Sequence, residues 1–309
     1  MSWARAGAFV AAAAVMAALP ASVAAKDSGP CDLGRPVAEQ VLIAPEAGTW
    51  YQVDALNPDI VRWRGRYWLF FSGNDTQQAD GHWRTGVAVS KRPRGPFRIL
   101  KRNWEFVNGG TLVRGGRLWQ AATTPLGPAL MRSDEGALRW DLVAPVPTFP
   151  DWRAIVSDFS LRARGSAIRA YFAGRAGATG ADIGAVTFRD GRWSGWRTLL
   201  TREAVVGDGA DLGEPVVFRH AGRSRLVYGR MRGDYVRELA LAYRDHGTWT
   251  KCPRPFLKAP KTGWYRGNVI DPEPMVVGNR LYLYFGGGVV PSLGGAMDGR
   301  IGVRVYRLP

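Results

Sequence analysis

A pattern of hydrophobic and polar positions recurs five times along the chain. Each copy has a short apolar stretch, a glycine-containing turn, an aromatic or branched stretch and an ending of small residues. The turn glycines are Gly65, Gly116, Gly165, Gly222 and Gly278, which are spaced by 51, 49, 57 and 56 residues. A regular period of about 50 residues is typical of a repeat architecture in which each copy is one structural unit.

A second strand-like stretch follows each copy, and four of these lead into a turn with an aromatic exit, as in Asp190-Gly191-Arg192-Trp193. The stretches are rich in Val, Ile, Tyr, Phe and Trp, and none has convincing helical periodicity, so the pattern predicts an all-β chain. Four strands in a unit of roughly 50 residues match a propeller blade. The sequence therefore predicts a five-bladed β-propeller with four antiparallel strands per blade over residues 45–309.

The N-terminus has a different pattern. It has a cationic start at Arg5, an apolar run from Ala8 to Leu19 and small residues before Lys26. This order is typical of a cleaved signal peptide, here residues 1–25, and the apolar run is shorter than the roughly 20 residues of a membrane span. We therefore expect a secreted or periplasmic protein without integral membrane contact. Residues 26–44 form an N-terminal segment that closes the ring or covers one end of it.

Cys31 and Cys252 are the only cysteines. In an oxidising compartment such a pair can form a disulfide, here one that ties the N-terminal segment to a late repeat, and two free thiols are the alternative. His82, His220 and His246 have no ligand spacing with these cysteines, so the sequence predicts neither a required metal nor another cofactor.

The charge balance is strongly basic. Forty-two Lys and Arg residues against 26 Asp and Glu residues give a formal net charge of +16. Such a field attracts anions, which include nucleic acids, anionic membrane surfaces and acidic polysaccharides. The basic residues are mostly isolated arginines without a dense run, so we expect no nucleic-acid partner. A solubilising surface is the alternative to selection of an anionic ligand.

The segments that would begin the innermost strands carry the candidate chemistry. Acidic residues stand at equivalent points of four repeats, so a propeller would bring them together in one axial pocket. Paired carboxylates supply the acid and the base of glycoside hydrolysis, whereas single Asp and Asn residues at strand starts also cap turns. The segments are Asn57-Pro58-Asp59, Asn108-Gly109-Gly110, Ser157-Asp158-Phe159, Gly213-Glu214-Pro215 and Asp271-Pro272-Glu273-Pro274.

These motifs allow a family resemblance to be stated. Asn57-Pro58-Asp59-Ile60-Val61 ahead of Gly65-Arg66-Tyr67-Trp68-Leu69, then Ser90-Lys91-Arg92-Pro93-Arg94-Gly95-Pro96-Phe97, Asp158 and Glu214-Pro215 resemble the five-bladed glycoside hydrolases of family 43 and their relatives. In that family a first-blade Asp is the general base, a third-blade Asp tunes pKa values and a fourth-blade Glu is the general acid. The resemblance implies the tuning role for Asp158 and the acid role for Glu214.

The first blade departs from the family pattern. Asn57 stands where the family has Asp, and an amide cannot act as a carboxylate base. Asp54 or Asp59 could substitute if the strand is shifted. We predict Asp54 as the base, because it lies upstream of the inner strand, near the expected mouth of the pocket.

The fourth blade departs as well. The family acid stands two positions before its proline, whereas Glu214 is adjacent to Pro215. A slip of one residue turns a strand side chain to the opposite face, so Glu214 needs a local irregularity. Asp211 and Asp208 are the alternatives.

Further candidates are predicted to bind the substrate. Trp50, Trp152 and Trp264 each precede an inner strand and could stack on sugar rings, with packing between blades as the alternative. Arg230 could pair with a carboxylate or phosphate of the ligand, with a solvated surface position as the alternative. The predicted substrate-binding set is completed by pocket residues Asn57, Asp59, Asp271 and Glu273.

Three functions are compatible with these features. The leading prediction is a monomeric, secreted glycoside hydrolase acting on a poly- or oligosaccharide, an arabinofuranoside, a xyloside or an acidic glycan. The second is a non-catalytic glycan-binding propeller, which Asn57 favours. The third is a sialidase-like enzyme, suggested by Ser133-Asp134-Glu135-Gly136 before Trp140, although five repeats rather than six argue against it.

Overall fold

The chain folds as a ring of β-sheets. The computed structural model describes residues 29–77, 82–133, 139–147, 157–175, 181–202, 211–231, 237–291 and 297–309. Every regular element in these ranges is a β-strand. Within them, no helix has the length and apolarity needed to cross a membrane. The predicted signal peptide, residues 1–25, lies outside the described residues.

Five antiparallel sheets form the blades. Blade 1 consists of β2 (Asp54–Trp63), β3 (Arg66–Asn74), β4 (Arg84–Ser90) and β5 (Arg98–Trp104). Blade 2 consists of β6 (Val107–Arg114), β7 (Arg117–Thr124), β8 (Gly127–Ser133) and β9 (Asp141–Pro145). Blade 3 consists of β10 (Ser157–Arg164), β11 (Ala167–Arg175), β12 (Ala181–Arg189) and β13 (Arg192–Leu200).

The last two blades contain the chain ends. Blade 4 consists of β14 (Leu212–His220), β15 (Arg223–Met231), β16 (Arg237–Asp245) and β17 (Thr248–Lys251), and β18 (Leu257–Lys258) also pairs with β16. Blade 5 consists of β19 (Asn268–Val277), β20 (Arg280–Gly288), β21 (Arg300–Arg307) and the N-terminal strand β1 (Arg35–Ile43). The predicted five-bladed β-propeller with four strands per blade is confirmed.

The five glycines that the repeat predicted to lie in turns do lie in turns. Gly65, Gly116, Gly165, Gly222 and Gly278 each lie in the turn between the first two strands of a blade, with φ from 56° to 75°. This left-handed region is open to glycine at little steric cost, whereas a side chain would be strained there. The period of the sequence therefore reflects the backbone requirement of one turn in every blade.

The N-terminal strand closes the ring. β1 pairs antiparallel with β21 and becomes the outermost strand of blade 5. Cys31, just ahead of β1, forms a disulfide with Cys252 of blade 4. The propeller therefore begins at Arg35, within the segment 26–44 that the sequence analysis placed before it, and of the two roles considered for that segment β1 takes ring closure.

The innermost strands surround the central axis. β2, β6, β10, β14 and β19 each contact the next inner strand around the ring. All five run from one face of the propeller, here called the upper face, to the opposite, lower face. Residues that begin these strands therefore meet at the upper end of the axis, and residues that end them meet at the lower end.

Candidate active site

All five inner strands contain the same irregularity near their start. In β2, Leu56 pairs with Ser72 and Asp59 pairs with Phe70, so two residues lie opposite Phe71 alone. Such a β-bulge bends the strand and re-aims its side chains. The equivalent two-residue bulges are Asn57-Pro58, Asn108-Gly109, Asp158-Phe159, Glu214-Pro215 and Asp271-Pro272.

The first residue of every bulge has a left-handed backbone. The φ angles are 51° for Asn57, 53° for Asn108, 53° for Asp158, 56° for Glu214 and 52° for Asp271. This conformation costs a residue with a Cβ about 1 kcal/mol, least for Asn and Asp. Backbone strain of this kind clusters at functional sites, and here it recurs at one place in every blade. The local irregularity that Glu214 needed is therefore present.

The bulge residues line a small pocket at the upper end of the axis, here called the axial pocket. Its volume is about 40 Å³, and a space of that size holds about three water molecules. A saccharide would therefore lie over its mouth, with only individual polar groups reaching inside. Six predicted site residues line this pocket together with Asn108, namely Asn57, Asp59, Asp158, Glu214, Asp271 and Glu273.

Hydrogen bonds between blades hold two of the carboxylates. The backbone N–H of Asp271 donates to Glu214 Oε2 at 2.8 Å, and that of Asn57 donates to Asp271 Oδ2 at 3.0 Å. The Asn57 amide fits best with Nδ2 donating to Asp271 Oδ1 at 2.8 Å. Glycines leave room for both carboxylates, since a Cβ would lie 2.4 Å from Glu214 Oε2 at Gly229 and 2.9 Å from Asp271 Oδ2 at Gly286.

A second layer of charge lies below the bulge residues. Asp59 is 5% exposed, and burial raises its pKa to about 7 against the opposing effects of Thr111 hydrogen bonds and the Arg162 charge. Burial and the charge of Asp59 raise the pKa of Glu273 well above its usual range, and Arg162 opposes this shift. Asp59, Glu273 and Arg162 therefore form a cluster beneath the bulge residues, in which Asp59 changes its protonation near neutral pH.

This cluster predicts a pH-dependent stability. The folded-state pKa of Asp59, about 7, exceeds its unfolded value of 3.8, so between these values the folded protein holds a proton that the unfolded chain lacks. The stabilisation is complete below the unfolded pKa and is lost as pH rises through the folded pKa. We expect the free energy of unfolding of wild type, measured by denaturant titration, to fall relative to that of Asp59→Asn over this pH range.

A matched variant separates this effect from general charge. Asp190 lies in an exposed turn of blade 3, so Asp190→Asn removes an equal charge without touching the cluster. Its stability should follow the wild-type pH profile. Parallel profiles for wild type and Asp59→Asn would contradict the assigned cause.

Asp54, the predicted base, lies outside the axial pocket. Its side chain is 0% exposed, and its Oδ1 accepts the backbone N–H groups of Met297 at 3.0 Å and Gly299 at 2.8 Å. Burial raises its pKa, and these two hydrogen bonds oppose that shift. A general base must reach water or substrate, whereas Asp54 anchors the chain segment that precedes β21. The geometry gives no support to Asp54 as the base.

Two of the predicted sugar-stacking tryptophans pack inside blades. Trp50 stacks on Phe71 at 5.0 Å between ring centroids, and Trp264 stacks on Phe285 at 5.1 Å. A Cβ at Gly86 would lie 2.2 Å from the Trp50 ring, so the blade is shaped around this side chain. These positions correspond to the alternative of blade packing. Trp152, the third tryptophan, lies outside the described residues.

Arg230 and Asp211 also have partners within the fold. Arg230 is 6% exposed, and its Nη2 lies 3.2 Å from Glu238 Oε2 in a buried ion pair. Asp211 Oδ1 accepts the backbone N–H of Ala181 at 2.7 Å. Neither residue lines the axial pocket as far as the described residues define it. Asp208 lies outside the described residues.

Several residues near the pocket were not predicted. Asn108 lines it from blade 2, and although its segment was predicted to begin an inner strand, no role in the site was given to this residue. Arg162 lies within β10, and no feature of the sequence indicates that its side chain lies near the central axis. Trp83 packs on Leu56 and Ile270, the residues directly before two of the bulges, and only the fold brings it there.

A metal centre is not evident in the described ranges. Within them, no group of three or more His, Cys, Asp and Glu residues is arranged to hold a metal ion. The expectation of a site without metal or other cofactor stays a prediction, because the bulge carboxylates have been located but their ligands have not.

Sequence comparison finds no match, whereas structural comparison finds proteins of similar fold. No protein-family model and no curated protein match the chain. The catalytic domain of a GH62 α-L-arabinofuranosidase from Coprinopsis cinerea is similar with a TM-score of 0.66 and 12% identity, over 86% of this chain and 95% of that one. A glycosyl hydrolase from Bacteroides ovatus is similar with a TM-score of 0.64 and 16% identity, over 89% and 94% of the two chains.

A third similar structure comes from another glycoside-active family. It belongs to the GH130 family of mannoside phosphorylases, which contains hydrolases that target β-1,2-mannosidic linkages, and it has a TM-score of 0.64, 16% identity and coverage of 90% and 94%. The resemblance to five-bladed propeller glycoside hydrolases is confirmed at the level of fold. Because a fold can host several activities, the activity must be argued from the axial pocket.

Proposed function

We propose that this protein is a glycoside hydrolase that acts on a poly- or oligosaccharide at the mouth of the axial pocket. The observation that carries the proposal is the set of three carboxylates, Asp158, Glu214 and Asp271, which equivalent bulges of blades 3, 4 and 5 aim at one pocket. Glycoside hydrolysis needs two such groups, one to protonate the leaving oxygen and one to activate water or attack the sugar. The fold shared with glycoside hydrolases supports the same proposal.

The roles of the three carboxylates follow from their positions. Glu214 is the general acid, as the family resemblance implies. Asp271 takes the place of the base, because Asn57 carries no charge and Asp54 is sealed from solvent. Asp271 is partly exposed in the pocket and lies beside Asn57, with which it shares hydrogen bonds. Asp158, also partly exposed, flanks Glu214 from blade 3 and orients the reacting groups.

The substrate class is the finer part of the proposal. A formal charge of +16 favours a glycan that carries acidic groups, since the field of the protein concentrates anions. The family resemblance adds arabinofuranosides and xylosides. The disulfide between Cys31 and Cys252 supports action outside the cytoplasm, in a secreted or periplasmic setting, because disulfides persist in oxidising compartments.

A non-catalytic glycan-binding propeller is the second candidate. Two observations favour it. Asn57 stands at the first-blade position where the family resemblance implies a base, and Glu214 and Asp271 each accept a backbone N–H from the next blade. Carboxylates held in this way can also serve as fixed acceptors for sugar hydroxyls. The two candidates differ in whether a bound glycan is cleaved.

A screen of the wild-type protein separates these candidates. Neutral arabinans and xylans and uronate-containing or sulfated oligosaccharides are incubated with the protein, new reducing ends are measured, and binding is measured in parallel by calorimetry. We expect new reducing ends from at least one glycan. Binding without cleavage would replace the hydrolase with the binding module, and neither binding nor cleavage would overturn both.

A further inference from the structure

A second, larger cavity opens on the lower face of the propeller, and we call it the lower cavity. Its volume is about 500 Å³, which lies within the range of roughly 300–1,000 Å³ seen for small-molecule sites. The inner strands of blades 1, 3, 4 and 5 contribute to its wall. Its charged lining residues are Arg162, Arg164, Arg169, Arg219 and Glu273, and its aromatic lining residues are Tyr171 and Phe218.

Arg169 is a buried guanidinium without a matching negative charge. It is 6% exposed and lines the lower cavity from β11. Burial lowers its pKa, and the positive charges of Arg197, Arg164 and Arg244 act in the same direction, opposed by Tyr171. In the part of the chain that the structure describes, no carboxylate is among the groups that act on it. Such a charge is unfavourable to bury unless a ligand compensates for it.

The other charges of the lower cavity do not supply that compensation. Glu273 is the one acid of its described lining, and it interacts with Asp59 and Arg162. Burial and the Asp59 charge favour the neutral form of Glu273. Arg164 and Arg219 lie exposed at the rim and add positive charge. The lower cavity is therefore electropositive from its rim to its buried wall.

We propose that the lower cavity binds an oxyanion, carried by an anionic saccharide or free in solution, through the guanidinium of Arg169. Guanidinium groups bind sulfate, phosphate and carboxylate through two parallel hydrogen bonds, and their planar fork fits these anions better than an ammonium group does. The Tyr171 ring, 5.7 Å from the Arg169 guanidinium carbon, adds a flat apolar surface to the same wall. The volume leaves room for a sugar beside the anion.

This site is separate from the proposed active site. The axial pocket opens on the upper face, the lower cavity opens on the lower face, and Glu273 lines both. Binding at Arg169 therefore does not require catalysis at Glu214 or Asp271. A protein that cleaves no glycan could still bind an oxyanion on its lower face.

Calorimetry at low ionic strength tests the site, because salt screens charge-driven binding. The probes are inorganic sulfate, a sulfated disaccharide and an unsulfated disaccharide of the same sugars. We expect the wild type to bind inorganic sulfate and the sulfated disaccharide through the lower cavity, and not to bind the unsulfated disaccharide there. Tighter binding of the disaccharide supports a saccharide ligand at the oxyanion site, and equal affinity supports a free anion there. Binding of neither sulfated probe would overturn the proposal.

Variants identify the residue responsible. Arg169→Gln should weaken sulfate binding at least tenfold, and Arg164→Gln, at the exposed rim, should weaken it less without affecting folding. Arg225 is a matched control, because it is 3% exposed and outside the lower cavity, with its Nε bonded to the Pro30 carbonyl. Unchanged binding in Arg169→Gln, or an equal loss in Arg225→Gln, would contradict the assignment.

Stability in the absence of anion gives a second readout. A purely structural Arg169 would make Arg169→Gln less stable than wild type. The proposal predicts equal or higher stability without anion, because an uncompensated buried charge has been removed. It also predicts that sulfate raises the melting temperature of wild type and not that of the variant, and the opposite pattern would overturn it.

Discussion

Replacing Asp158 by asparagine is expected to lower kcat/KM for glycan cleavage by about 100-fold, the loss typical when reacting groups are no longer held in the productive geometry. The substitution removes a negative charge from the axial pocket. Asparagine has the same shape and tolerates the left-handed backbone that position 158 requires at φ 53°. The measurement is the initial rate of reducing-end release on a glycan that the wild type cleaves.

Asp190→Asn is the matched control for this substitution. Asp190 has φ 50°, close to the value at Asp158, but lies in an exposed turn at the outer part of the same blade. It should retain wild-type kcat/KM. An equal loss in both variants would mean that the effect is general, and full activity in Asp158→Asn would remove that residue from the reaction.

Removal of the Cys31–Cys252 disulfide is expected to lower the free energy of unfolding by about 5 kcal/mol, the chain-entropy value for a loop of this length. The two cysteines are separated by 221 residues, so the bond restricts most of the unfolded propeller. It also holds the segment ahead of β1, which completes blade 5. Denaturant titration of the Cys31→Ala, Cys252→Ala double variant gives the difference from wild type.

The reduced wild-type protein is the companion sample. It removes the same covalent bond without changing a side chain in the cluster that buries Cys252, which is 2% exposed. Both samples should lose similar stability. A loss below about 1 kcal/mol in both would show that pairing of β1 with β21 closes the ring without covalent help, contrary to the loop-entropy argument.

The blades could be predicted from sequence because their turns impose a local requirement. A glycine with positive φ is needed at one point of each hairpin, and that need produces a visible period. The pairing of β1 with blade 5 was harder to predict from the sequence. Most of its residues are exposed at the edge of blade 5, and its partner β21 lies at the far end of the chain. The sequence of β1 therefore resembles that of a linker.

The pocket was only partly predictable for a similar reason. The recurrence of acidic residues at one point of the repeat indicated the segments that line the axial pocket, although the equivalent bulge positions hold carboxylates in three blades rather than four. The burial of Asp54 depends on backbone groups of Met297 and Gly299, which are more than two hundred positions away, and no local pattern reveals them. Trp50 and Trp264 have the composition of sugar platforms, yet glycines on neighbouring strands make room for them inside the blades.

The bulges explain how the chemistry of the axial pocket can vary while the ring stays the same. Each bulge places one polar residue at the axis whatever its identity, so blades 1 and 2 present amides and blades 3, 4 and 5 present carboxylates. Substitution at these positions changes the chemistry of the pocket without altering the ring. Blade 1 carries the amide of Asn57, and the neighbouring carboxylate of Asp271 accepts the backbone N–H of this residue.

The position of a bound saccharide tests this account most directly. A crystal structure of Glu214→Gln with an oligosaccharide that the wild type cleaves should show a sugar over the mouth of the axial pocket. Its glycosidic oxygen should lie within hydrogen-bonding distance of residue 214, with Asp158 and Asp271 facing the same ring. A saccharide bound elsewhere, with the axial pocket holding only water, would contradict it.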